Sequence, residues 1–365
     1  MIAVRVVVFL AGLTLVFGIL VSALRTFVLP RGVPDRLNRL VFQSTRKLFD
    51  MRTSRARSYA ERDRAMALYA PVSLLVLPFV WLVLVGAGCS CLFWALGMPS
   101  WSEAIQASGS SLLTLGFAQI GSLPRALVAF FEAMVGLGLV ALLIAYLPTM
   151  YSAWSRREEA VALLEVRAGS PPSAVELIIR FRRIGGLDRL PELWEAWEVW
   201  FANVDETHTS LFPLSFFRSP SPNRSWVTAA GAILDAAALA NSAVDVPHHA
   251  SADLCLRAGY VALRNIALFF RIPFDPHPEP YDAVSVAREE FEEACGRMAS
   301  AGVPLKPDRN QAWHEFAGWR VNYDAVLVGL AAMTMAPEAP WSSDRSIRRL
   351  GRTQRRRRWS RRPGR

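Results

Sequence analysis

The stretch Ser108-Gly-Ser-Ser-Leu-Leu-Thr-Leu-Gly-Phe-Ala-Gln-Ile120 decides how this chain is read. It is too short and too polar to cross a bilayer, which takes about 20 apolar residues as a helix. On either side lie runs that are long and apolar enough, residues 69–97 and 125–151. Lipid offers the backbone no hydrogen-bond partners. A non-helical segment at membrane depth must therefore be covered by protein or line a water-filled path. An apolar helix, a short amphipathic segment, Thr114-Leu-Gly-Phe117 and a second apolar helix, in that order, predict a loop that enters the membrane and returns.

Residues 102–113 read as a short helix in front of that loop. Ser102 is the candidate N-cap, and Glu103 in the first turn suits the positive end of the helix dipole. The carboxyl end then points toward the loop, where its partial negative charge favours a cation over an anion.

At Thr114, Leu115, Gly116, Phe117 and Ala118 the chain resembles the potassium channel family, whose filter reads Thr-Val-Gly-Tyr-Gly. The resemblance covers about residues 70–151, under a quarter of the chain. It implies that the carbonyls at these filter positions replace the hydration shell of a permeant ion, with the Thr114 hydroxyl adding an oxygen. One loop cannot close a ring of carbonyls, so the resemblance implies a homotetramer passing potassium or another monovalent cation, with no other metal or cofactor. Gly116 suits a filter in which alternate residues take left-handed backbone.

Three positions depart from the family. Ala118 stands where the family has Gly, Gln119 replaces its usual Asp, and Ser110 stands where many members carry an acid or another hydrogen-bonding group behind the filter. A left-handed Ala118 would cost about 1 kcal/mol or more in each subunit. On that reading, Ala118→Gly is expected to improve potassium over sodium preference. The rival to a channel is a non-conducting membrane scaffold that tetramerises a helical interaction domain.

Orientation follows from charge. Residues 6–24 form a first uncharged apolar run, about long enough to span. Its competing reading is a signal peptide with Val21-Ser-Ala23 as cleavage site, but the apolar region is long for a signal core. Residues 30–67 form a basic loop that includes Arg36, Arg39, Arg46, Lys47, Arg52 and Arg62. The positive-inside rule places it in the cytoplasm. The N-terminus and the polar loop are then outside, and everything beyond the third run is cytoplasmic. This gives a first span in 1–29, a pore module in 68–155, a helical cytoplasmic domain in 156–340 and an Arg-rich, disordered tail in 341–365. The expected fold is all-α, in a multi-pass inner-membrane protein.

Five residues inside the apolar runs invite a role. Gly136 and Gly138, at about the distance from the filter where the family has a hinge glycine, serve either as a gating hinge or as close-packing sites. Glu132 is the one acid within a spanning run. Such acids are functional by default. It attracts cations, pairs with Arg125, or bonds to the short helix. Gly12 and Gly18 in the first run are candidates for close helix contact.

The remainder reads as helices over 171–183, 191–203, 226–243, 250–271, 283–300 and 310–335, with 158–166 extending the inner helix and a loop over 210–223. No Gly-x-Gly-x-x-Gly follows a strand, so a nucleotide-binding α/β domain is not indicated. His248 and His249 sit in a loop rather than a metal site, and the four cysteines read as isolated thiols. No grouping of Ser, His and Asp or of paired carboxylates supports an enzyme. The formal charge of +10 is concentrated in 345–365, which carries eleven arginines and no acid. That tail is expected to contact anionic lipid rather than nucleic acid. Arginine in place of lysine, with abundant alanine, fits a GC-rich bacterial genome.

Overall fold

The computed structural model describes residues 1–27, 36–54 and 58–345. Among these, every regular element is helical; the one β-type pairing is an isolated bridge between Val244 and Leu305. The chain divides into two compact units, residues 1–152 and 153–365.

The first unit contains α1 (Ile2–Phe27), α2 (Arg36–Thr53), α3 (Tyr59–Ala67), α4 (Tyr69–Ala95), α5 (Trp101–Leu112) and the first part of α6 (Leu123–Ala168). Three helical stretches, Ile2–Thr26, Tyr59–Ala95 and Leu123–Ala168, are long and apolar enough to cross a membrane. α1 and α4 run antiparallel and touch through glycine. A Cβ at Gly12 would stand 2.6 Å from the Gly88 carbonyl oxygen, and one at Gly88 would stand 2.7 Å from a Val16 methyl. Gly18 meets nothing within 4 Å, so of the two glycines expected to mediate contact only Gly12 does. At one end of this pair the Arg5 guanidinium lies 5.9 Å over the Trp94 ring, and Trp94 stacks on Trp101 at 4.9 Å.

The basic stretch expected as a loop over 30–67 is instead largely α2 and α3. Its charge masked a helical period: Asn38, Val41, Phe42 and Thr45 are buried on one face of α2, between the arginines. That face docks on the start of α4, where the Tyr69 hydroxyl donates to the Phe42 carbonyl at 3.2 Å. Phe42 and Phe49 meet the Tyr69 ring edge-on, and Arg46 lies 5.4 Å over it.

The second unit holds the rest of α6 with α7 (Ala174–Arg183), α8 (Leu190–Ser210), α9 (Trp226–Ser242), α10 (Ala250–Phe270), α11 (Arg288–Ser300), α12 (Arg309–Arg320) and α13 (Asp324–Thr334). α9 is the central helix, with every residue except Asn241 buried. Its alanines and Gly231 let neighbours approach closely; a Cβ at Gly231 would come within 2.9 Å of Leu327. The single charge of α9, Asp235, meets Arg320 of α12 in an ion pair with both side chains buried.

This buried pair explains two departures from the expected helices. Residues 310–335 form two helices, not one, with the break at 321–323. There Arg320 turns inward, donating also to Asp324 Oδ1 at 2.8 Å and to the Trp341 carbonyl at 2.5 Å. The helix expected from 283 begins only at Arg288, because Ser285 is engaged elsewhere. Its amide and hydroxyl donate to the Asp324 carboxylate at 2.9 and 2.6 Å. The turn Phe212–Phe216 is 3-10 helical within the expected loop. The expected disordered tail also starts too early: Trp341, Ser342, Ser343 and Arg345 are buried, and Arg345 reaches Glu290 at 2.6 Å. The other arginines of that tail lie outside the described residues.

Candidate functional site

α5 begins at Trp101 and is capped by Ser100, not Ser102; the Ser100 hydroxyl accepts from the Glu103 amide at 3.2 Å. The cap fell two residues earlier because Trp101 can join the helix while stacking on Trp94. α5 ends at Leu112, and the chain then wraps around Ser110. The Ser110 carbonyl accepts from the amides of Leu115 and Gly116 at 2.8 and 3.4 Å. The Ser110 hydroxyl oxygen accepts from Phe117 and Ala118 at 3.0 and 3.2 Å. Four consecutive amides thus converge on one residue.

A trans peptide carries its C=O antiparallel to its N–H. With the N–H groups of 115–118 turned toward Ser110, the carbonyls of Thr114, Leu115, Gly116 and Phe117 face the opposite side. Among the described residues, none of these four carbonyls accepts a hydrogen bond. The backbone reaches this arrangement through positive φ at Thr114 (54°) and Gly116 (72°). Gly116 takes that conformation without steric cost. Thr114 takes it at about 1 kcal/mol, offset by the amide bonds to Ser110. Ala118 is not in the left-handed region. The strain expected at this position therefore does not arise, because the alternation ends at Gly116. Leu115 and Phe117 are 61% and 64% exposed within one chain.

Behind α5 the loop is braced by α4 and α6. Ser108 Oγ lies 2.6 Å from Glu132 Oε1 and 2.9 Å from the Gly86 carbonyl oxygen. Glu132 is fully buried, and the Cys89 thiol of α4 lies beside it. Its second oxygen, Oε2, has no partner. The carboxyl group is therefore directed at α5, away from the open side of the loop. Of the roles the sequence left open, the bond to the short helix is the one seen within a single chain. Arg125 is not its partner; the Arg125 Nε donates to the Leu96 carbonyl at 3.2 Å.

The two glycines of α6 separate. A Cβ at Gly136 would stand 2.2 Å from the Leu112 carbonyl oxygen, so this residue lets α6 pass the last turn of α5. Gly138 meets nothing within 4 Å and carries no such packing demand. Sequence reasoning placed Ser110 behind the loop and missed Ser108, Gly86 and Cys89. The signal for Ser108 was its spacing: it stands two residues before Ser110, so the two hydroxyls serve different sides of one helix.

In the second unit a buried cluster surrounds Arg157. It donates to Glu158 Oε1 and to the carbonyls of Leu214 and Phe217, each at 2.8 Å, and meets His208 Nε2 at 3.1 Å. A guanidinium has only donors, so His208 Nε2 is the acceptor and the ring is neutral. Burial and the neighbouring Arg157 charge both push the His208 pKa well below its ordinary value.

No family model, curated protein or solved structure matches this chain.

Proposed function

We propose that the chain is one subunit of a homotetrameric pore-loop channel of the potassium channel type, carrying monovalent cations passively across a bacterial inner membrane. The observation that carries this reading is the convergence of four consecutive amides on Ser110, which leaves four carbonyls free on the other side. Four such loops around an axis would present stacked rings of oxygens to a dehydrated cation. The carboxyl end of α5 adds partial negative charge near the loop. Exposed Phe130, Met134 and Leu137 on α6 leave apolar surface for lipid or for neighbouring copies. In this reading, the α1 N-terminus and the loop are external, and the basic helices α2 and α3 and the whole second unit are cytoplasmic.

Purified protein reconstituted in liposomes tests the proposal, with potassium and sodium flux compared under the same gradient. Passage of either cation, lost when residues 114–118 are replaced, supports it. A tetramer that passes neither cation would instead be a scaffold holding four copies of the second unit together.

A further inference from the structure

The second unit contains a cavity of about 400 Å³ between the end of α7, the start of α8, the end of α9 and the segment leading into α10. Its walls are apolar where Leu190, Pro191, Trp194 and Val246 meet. Trp194, which forms part of this wall, is only 2% exposed.

Two cations line the same cavity and are held in place by backbone. Lys306 Nζ donates to the Asn241 carbonyl at 2.6 Å and forms a long ion pair with Glu315, which lies outside the lining, at 3.9 Å. Arg182 Nε donates to the Gly302 carbonyl at 2.6 Å, and no carboxylate among the described residues pairs with it. Each therefore keeps donors to spare. Asp188 is the one acid of the lining, and His248 is engaged with Asp253 at 3.1 Å. With Arg182 and Lys306 positive and Asp188 negative, the lining carries one excess positive charge.

The geometry points to a binding site for a small organic monoanion with a flat apolar body, such as an aromatic carboxylate. The volume lies toward the lower end of the range of about 300–1,000 Å³ usual for small-molecule pockets. The apolar walls cover the body, and the two fixed cations take the carboxylate through charge-assisted hydrogen bonds. One excess charge matches a monoanion; a dianion would meet Asp188 uncompensated. The site is independent of whether the loop after α5 conducts.

Isothermal titration of the full-length protein in lipid nanodiscs tests this, with empty nanodiscs as the blank. The probe is 2-naphthoate, compared with neutral 2-naphthamide and with inorganic phosphate. Naphthoate is expected to bind with a submillimolar Kd, naphthamide about tenfold more weakly, and phosphate not measurably. Lys306→Gln and Arg182→Gln are each expected to weaken naphthoate about tenfold, with thermal unfolding unchanged. Val246→Trp, which fills the cavity from its rim, is expected to abolish binding. Absence of naphthoate binding, equal binding of the amide or of phosphate, or indifference to both cation substitutions overturns the proposal.

Discussion

Ser110 shows how one residue can set the direction of a backbone. Its carbonyl and hydroxyl together take four amides, and the trans peptide geometry does the rest. Ser110→Ala leaves the Phe117 and Ala118 amides without their acceptor, at about 0.5–1.5 kcal/mol for each lost hydrogen bond. Cation flux through liposomes is expected to fall by at least tenfold, while the protein still assembles. At Ala118 no left-handed strain exists to relieve. In the proposed channel, Ala118→Gly is accordingly expected to leave the potassium–sodium reversal potential and the melting temperature unchanged; a shift toward potassium would show that the loop adopts a different backbone there.

His208 gives a pH dependence of known sign. Its folded pKa is lowered, so between the ordinary value of about 6.5 and the folded value the unfolded chain binds a proton that the folded chain does not. Stability then rises with pH in that window and is lost as pH falls below about 6.5, by at most about 1.4 kcal/mol per pH unit. Thermal unfolding from pH 7 to 5 is expected to show this decline, and His208→Gln to flatten it. Steeper loss in the variant than in the parent would contradict the assignment.

At the scale of elements, the seam between α5 and α6 is the joint that fixes the loop. Gly136→Val places methyl groups against the Leu112 carbonyl, where even a Cβ has only 2.2 Å. Overpacking of this kind costs about 1–3 kcal/mol or more. The variant is expected to melt lower and to lose flux, whereas Gly138→Ala, in open space, is expected to be tolerated. Glu132→Gln keeps an oxygen for Ser108 and is expected to retain flux, while Glu132→Leu is not. A flux loss in the Gln variant equal to that in the Leu variant would restore a role for the charge itself.

The spans were legible in the sequence because their apolar runs are long and nearly free of charge, and lipid admits few other structures. α2 was not legible as a helix: its apolar period is interrupted by arginines that the charge rule reads as a loop. The limits of the short helix were displaced by a stacked tryptophan pair, a contact between residues seven apart that no cap signal encodes.

For the whole molecule, the second unit is organised around a charge that sequence reasoning did not connect. Arg320 on α12 meets Asp235 on α9, Asp324 on α13 and the carbonyl of Trp341, and the Tyr323 hydroxyl donates to Asp235 at 2.9 Å. Burial alone would raise the Asp324 carboxyl, but the Arg320 charge and the bonds from Ser285 hold it below its ordinary value. Arg320→Ala strands two buried carboxylates and is expected to cost about 3–5 kcal/mol, read as a large drop in melting temperature. Replacing Arg320, Asp235 and Asp324 together by Met, Leu and Leu is expected to recover most of that loss. A triple variant as unstable as the single one would show that the network shapes the break between α12 and α13 and does not merely compensate charge.

The sequence by itself determined the three membrane-length helices, the polar loop between the last two and the helical character of the rest, since each depends on patterns along the chain. The tertiary structure alone decided which atoms face which: that Ser110 gathers four amides, that Glu132 turns to α5, that Gly136 is a packing site, and that Arg320 sits at the centre of the second unit. These pairings join residues from 5 to 85 positions apart. Their free energy comes from desolvation and close approach in three dimensions, which no local period records.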